Sequence, residues 1–149
     1  MLEKYTENDS RIYRNDATLP NLYGDQGGSI KMEIEHAISE QIQFSDFLKV
    51  DIRVGTIVAV EDYPESRKPA YKLEIDFGEL GVKNSSVQIT SNYNKNDLVG
   101  KQVLCAVNLG SKKIANFISE VLTLGVDDDK DNCVLVVPDK EVVNGGKLY

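Results

Sequence analysis

The run Asp51-Ile52-Arg53-Val54-Gly55-Thr56-Ile57-Val58-Ala59-Val60 alternates with period two. Ile52, Val54, Val58 and Val60 fall on one side with Thr56 between them; Arg53, Gly55, Ile57 and Ala59 fall on the other. A helix would need apolar residues three and four apart, so the run predicts a long strand. Gly55 in its middle weakens a flat strand but permits a bend or bulge. A long first strand that coils is what a small closed β-barrel requires.

The rest of the chain supplies partners for that strand. Tyr63 to Pro69 is a loop with two prolines, and Tyr71 to Phe77 alternates again up to Gly78. Val82 to Thr90 predicts a third strand, with a break near Asn84, and Asn92 to Leu98 a single helical turn. Gln102–Leu109 is a strongly apolar strand, Gly110 to Asn116 a connection, Phe117 to Leu124 another strand, and Cys133 to Val137 a buried one. Strands this short and closely spaced, with one helical insertion, predict an all-β Greek-key barrel over residues 49–149. Ahead of it, Ile34, Ile38 and Ile42 predict a short amphipathic helical lead-in over 32–48. Residues 1–31 are polar and rich in turn formers, which predicts a flexible extension. The stretch Gly27-Gly28-Ser29-Ile30-Lys31 is what a purine-rich ribosome-binding site encodes when read in frame, so Met32 is the expected natural start.

With 149 residues and 41% apolar content, the chain can build one core. No run approaches a membrane span or a signal-peptide core, so the expected location is the cytoplasm, without membrane insertion. Cys105 and Cys133 lie in separate apolar segments, which fits two buried thiols better than a secreted disulfide pair. The net charge of -7 argues against a general nucleic-acid coat. Residues 1–43 carry four basic and eight acidic side chains, whereas 44–149 carry 13 and 16. The barrel segment is therefore close to balanced, and a local basic patch can still steer a polyanion.

No catalytic constellation is legible. The single histidine, His36, lies outside the barrel, and neither cysteine has a neighbouring base. No phosphate loop or dinucleotide fingerprint occurs, and no cofactor is implied. Asp127, Asp129 and Asp131 are spaced like the start of a calcium loop. Asn132 replaces the glycine such a loop needs, and Pro138 stands in place of its bidentate glutamate, so no metal site is expected. A small enzyme of unknown activity, or a purely structural interaction module, is the weaker alternative to a binding protein.

Basic clusters remain: Arg67-Lys68 with Lys72, the pair Lys112-Lys113, and single Arg53, Lys83 and Lys101. Scattered lysines are ordinarily solvated surface. Here both doublets fall in predicted barrel-rim loops, where such folds bind oligonucleotides. Strand aromatics are few, essentially Phe77 and Phe117, so RNA would be held by shape and phosphate contacts rather than by base stacking.

In order and spacing, residues 44–149 resemble the tRNA-binding OB-fold family, which spans methionyl-tRNA synthetase appendages, free-standing tRNA-binding proteins and the CsaA export-related chaperones. Asp51 to Ile57, Tyr63 to Leu73 running into Ile75-Asp76-Phe77-Gly78, Ser85 to Thr90 and Ser119 to Gly125 carry the resemblance. Pro138-Asp139 and Asn144-Gly145 add the closing turn, and the CsaA branch matches best. The resemblance implies a non-catalytic OB-fold barrel, a symmetric homodimer assembled through additions outside it, and a ligand rim. By position, Lys68 matches a family lysine, Lys112 and Lys113 the basic pair after Asn108-Leu109, and Ser119 a motif serine. Arg67, beside Lys68, and Arg53, pointing off the apolar face, complete the candidate RNA contacts. Val121 and Leu122 stand where the tRNA binders carry glycine and methionine, and Gly110-Ser111 where they carry Pro-Arg. The implied partners are tRNA or other structured RNA and, through the CsaA branch, unfolded or precursor polypeptides bound for export.

Overall fold

In a computed structural model of the protein, residues 37–149 are described, together with a short antiparallel pair, β1 (Glu3–Tyr5) and β2 (Asp9–Ser10). The expected start at Met32 and the remainder of the expected extension lie outside the described residues. Two units are distinguished, Leu2–Lys49 and the barrel from Val50 to Tyr149. Of the lead-in expected over 32–48, residues 38–43 form no helix, and α1 is the single turn Phe44–Phe47. Gln43 and Asp46 cap it reciprocally, with the Gln43 N–H donating to Asp46 Oδ2 at 3.0 Å.

The barrel is built on β3 (Ile52–Asp62). Its far half pairs antiparallel with β4 (Tyr71–Asp76), which pairs with β5 (Val82–Val87) beyond a 3-10 turn at Gly78–Leu80. After α2 (Lys95–Leu98), β6 (Gln102–Ala106) returns against the near half of β3. A hairpin follows, β7 (Lys112–Ile114) and β8 (Phe117–Ser119), and then β9 (Leu122–Thr123) pairs with β6. The last pair is β10 (Gly125–Asp127) with β11 (Cys133–Leu135).

The main sheet runs β5-β4-β3-β6-β9, and its two edges nearly close on each other. Where they meet, Asn84 O accepts from Glu120 N at 2.8 Å, and Asn84 N donates to Glu120 Oε1 at 2.8 Å. Inside the seam, the Ser85 and Thr123 hydroxyls lie 2.8 Å apart and Ser85 Oγ donates to Val121 O at 3.2 Å, so these buried groups are partnered. This is the all-β OB-type barrel expected from the alternation, with two short α-helices among the described residues.

The structure corrects which face of β3 builds the core. Gly55 pairs with Val103 and Arg53 with Cys105, and Val103 and Cys105 belong to the central cluster with Ile57, Leu73, Ile75 and Phe77. The inward face is therefore that of Gly55 and Ile57. A bulge between Ile57 and Ala59 leaves Val58 without a partner and 45% exposed, and brings Val60 round to the core. Gly55 itself is required by close approach: an added Cβ would sit 2.5 Å from Ile75 Cγ2 and 2.8 Å from two Phe77 ring carbons. Val54, on the other face, is buried with its cross-strand partner Leu104. Cys105 and Cys133 are not joined in a disulfide.

The C-terminal segment straps the edge of β3 that β4 does not reach. Val54 N donates to Gly146 O at 2.9 Å, Gly145 N to Val54 O at 2.7 Å, and Leu148 N to Ile52 O at 2.9 Å.

Candidate nucleic-acid interface

Two connections carry the basic doublets, and the fold brings them together. The first is the loop from Tyr63 to Ala70, closed at its base by Tyr63 N donating to Ala70 O at 3.2 Å. Arg67 and Lys68 are exposed on it. The second connection is not the irregular stretch expected from Gly110 to Asn116. It is the β7–β8 hairpin, with Lys112 opposite Ser119, Lys113 opposite Ile118 and Ile114 opposite Phe117. Because cross-strand partners share a face, Lys112, Ile114, Phe117 and Ser119 line one side, and Lys113 and Ile118 the other. Lys113 and Ile118 are exposed, whereas Ser119 is 1% exposed.

Tyr63 joins the two connections. Its ring is buried and meets Phe117 edge-on, with centroids 5.6 Å apart at 61°. Its hydroxyl donates to Ile114 O. Lys72, on β4, lies 5.4 Å from the Tyr63 ring centroid and 5.6 Å from that of Phe117, with Glu61 at 3.7 Å. Burial raises the Tyr63 phenol above its ordinary pKa and the Glu65 carboxylate adds to the shift, while the Phe117 backbone N–H opposes it. The hydroxyl therefore stays protonated and able to donate throughout the neutral range.

The other candidate residues are placed differently. Ser119 Oγ accepts from Ser86 N at 3.1 Å and donates to Val121 O at 3.3 Å, so this serine fastens the hairpin base to β5. The Arg53 guanidinium donates to Asp51 Oδ1 at 2.7 Å and to Gly145 O at 3.0 Å, holding the C-terminal strap. Arg53 lies near the opposite end of β3 from Tyr63, up to roughly 33 Å of extended strand away. The fold thus joins the loop bearing Arg67 and Lys68 to the hairpin, on which Lys112 shares a face with Ser119 and Lys113 lies on the opposite face, and leaves Arg53 apart.

The Tyr63 contact was not legible beforehand. An aromatic beside Pro64 reads as loop, and its partner at Ile114 lies 51 residues along the chain. Among the described residues, no group of three His, Cys, Asp or Glu side chains could hold a metal ion, and no helix is long and apolar enough to cross a membrane. Asp128 organises the acidic turn instead, accepting from Asn132 N at 3.0 Å, Lys130 N at 2.9 Å and Asn92 Nδ2 at 3.1 Å. Those donors hold its carboxyl below the usual carboxylate range.

The family model described as "Putative tRNA binding domain" matches residues 52–147, nearly all of the barrel. The chain belongs to this tRNA-binding family. Within the family it is CsaA-like. The crystal structure of the chaperone CsaA from Bacillus anthracis is 47% identical, with a TM-score of 0.70 over 74% of this chain and 100% of that one. CsaA from Picrophilus torridus is 50% identical, with a TM-score of 0.69 over 73% and 100%. The methionine–tRNA ligase of Thermococcus onnurineus is 33% identical over 135 residues, 89% of this chain and 18% of the ligase. The chain thus spans about a fifth of the length of such ligases.

Proposed function

We propose that this member of the tRNA-binding family is a non-catalytic, cytoplasmic homodimer that holds tRNA or a similarly structured RNA through phosphate contacts from Arg67, Lys68, Lys112 and Lys113. The observation that carries this reading is the union of the two basic connections through Tyr63 and Phe117. Phosphate contacts fit better than base stacking, because Tyr63, Tyr71 and Phe77 are buried and Lys72 lies over the Phe117 ring. On this reading Ser119 and Arg53 act indirectly, the first by fixing the hairpin base and the second by holding the C-terminal strap.

Filter binding of bulk tRNA tests the reading. Retention is expected at low salt. With about four phosphates neutralised, log K should fall against log salt with a slope near -3 to -4. Absence of retention at low salt would overturn it.

A second reading is supported by the exposed apolar side chains Val126, Val134, Val137, Val142 and Val143, and by the likeness to the CsaA chaperones. Here an apolar surface holds unfolded or precursor polypeptides destined for export. Salt-insensitive suppression of aggregation of a denatured client supports it; no suppression at molar excess of dimer removes it. The two readings use different surfaces and are compatible.

A further inference from the structure

We propose that Tyr63 is a positioning residue that makes the two basic connections one unit by clamping the tip of the β7–β8 hairpin. This rests on the RNA-binding reading above. Among the described residues the hairpin strands pair with each other as a separate two-stranded sheet. Two strands alone are marginal in water, so the hairpin needs outside anchors. At its base the anchor is Ser119, whose hydroxyl accepts from Ser86 N. At its tip the turn adds a burden rather than an anchor: Ala115 has φ +53°, a region that residues with a Cβ avoid. The tip is held by Tyr63, which reaches both strands, β7 through Ile114 O and β8 through the Phe117 ring.

Tyr63 is in turn held by its own loop. Its backbone N–H closes the Tyr63–Ala70 loop, its carbonyl accepts from Ser66 N at 3.1 Å, and Lys72 covers its ring. The loop bearing Arg67 and Lys68 and the hairpin bearing Lys112 and Lys113 therefore share one rigid hinge point. Without the phenol hydroxyl, the hairpin keeps its base anchor and loses one of its two tip contacts. The hairpin then samples orientations relative to the Tyr63–Ala70 loop, and ordering it on binding costs affinity.

The test compares the full-length chain with Tyr63→Phe, each with and without the Lys112→Ala/Lys113→Ala pair. Amide hydrogen exchange of the free proteins is read first. Tyr63→Phe is expected to speed exchange at residues 112–119 by roughly three- to tenfold, the size of one neutral hydrogen bond, while amides of β3, β4 and β6 keep their rates. Bulk tRNA affinity is read second. Tyr63→Phe should weaken it by a comparable factor with a shallower salt slope. The double lysine change should then cost several-fold less in the Tyr63→Phe background than in the wild type.

Unchanged exchange in the hairpin, or equal acceleration throughout the barrel, overturns the positioning role. So does full additivity of the Tyr63 and lysine changes. If the wild type binds no tRNA, the RNA reading fails, and the exchange pattern still decides whether Tyr63 clamps the hairpin. Should Tyr63→Phe not fold, Phe117→Leu removes the ring contact instead and is held to the same exchange criterion.

Discussion

The barrel around β3 and the β7–β8 hairpin are both antiparallel strand pairs, yet they are held in different ways. Strand β3 has hydrogen-bonded neighbours along its length, β6 and the C-terminal strap at one end and β4 at the other. It also lies against a core containing Leu73, Ile75, Phe77 and Val103, in which each large side chain contributes about 1.5–3 kcal/mol by leaving water. The hairpin has three cross-strand pairs, one serine at its base and one tyrosine at its tip. The lesson is a division of labour. Apolar burial fixes the scaffold many times over, while a few polar and aromatic contacts orient the lysines proposed to meet the ligand.

Substitutions that add or remove a single group should separate the two regions. The largest effect is expected for Gly55→Ala, because the new Cβ would press on Ile75 and Phe77 inside a packed core. About 3 kcal/mol of destabilisation in urea unfolding is expected, within the range for overpacked cores. A change below about 0.5 kcal/mol would mean that the barrel wall yields to an added methyl group. Next is Ser85→Ala in the closing seam, which removes one of two hydrogen-bond partners from each of Val121 O and Thr123 Oγ1. Its expected cost is about 1–2 kcal/mol, read as a lower midpoint with unchanged slope.

Smaller effects belong to the rim and the turns. Ala115→Gly should stabilise by about 0.5–1 kcal/mol, since glycine adopts the positive φ at the hairpin tip freely. Differential scanning calorimetry would register it as a small rise in Tm. The smallest effect concerns Asp128. Its folded-state pKa is depressed, so its contribution is present above the unfolded carboxylate pKa near 4 and is lost as pH falls through the lower folded value. Acid titration below about pH 4 should therefore loosen the Asn92 and Lys130–Asn132 contacts before the barrel unfolds, visible as early shifts of those amides in NMR spectra. Asp128→Asn should abolish that early step.

The barrel was legible because period-two alternation in Ile52–Val60 and Tyr71–Phe77 admits only strands. The inward face of β3 was not legible, since Val54 and Val58 are more apolar than Gly55. The pairing of Arg53 and Gly55 with Cys105 and Val103 decides which side turns in, and the bulge at Val58 then brings Val60 to the same side. The hairpin was missed for a related reason. A two-residue turn with positive φ usually announces itself with glycine or asparagine–glycine, and here Ala115-Asn116 does the work. Phe117 to Leu124 likewise reads as one strand, but it splits between β8 and β9 where Glu120 and Val121 turn their backbone N–H groups to Asn84. The lysine doublets were visible as chemistry; that they share one hinge depends on Tyr63, whose contacts reach far along the chain.

On the proposed reading, the hairpin lysines and the Tyr63–Ala70 loop form one phosphate-binding rim on an otherwise self-sufficient barrel. The most direct test is the salt dependence of bulk tRNA binding for wild type and for the Lys112→Ala/Lys113→Ala protein. A drop of about two in the magnitude of the log–log slope is expected, with unfolding midpoints that coincide. An unchanged slope in a normally folded variant would contradict the claim and place the tRNA-binding surface elsewhere on the barrel.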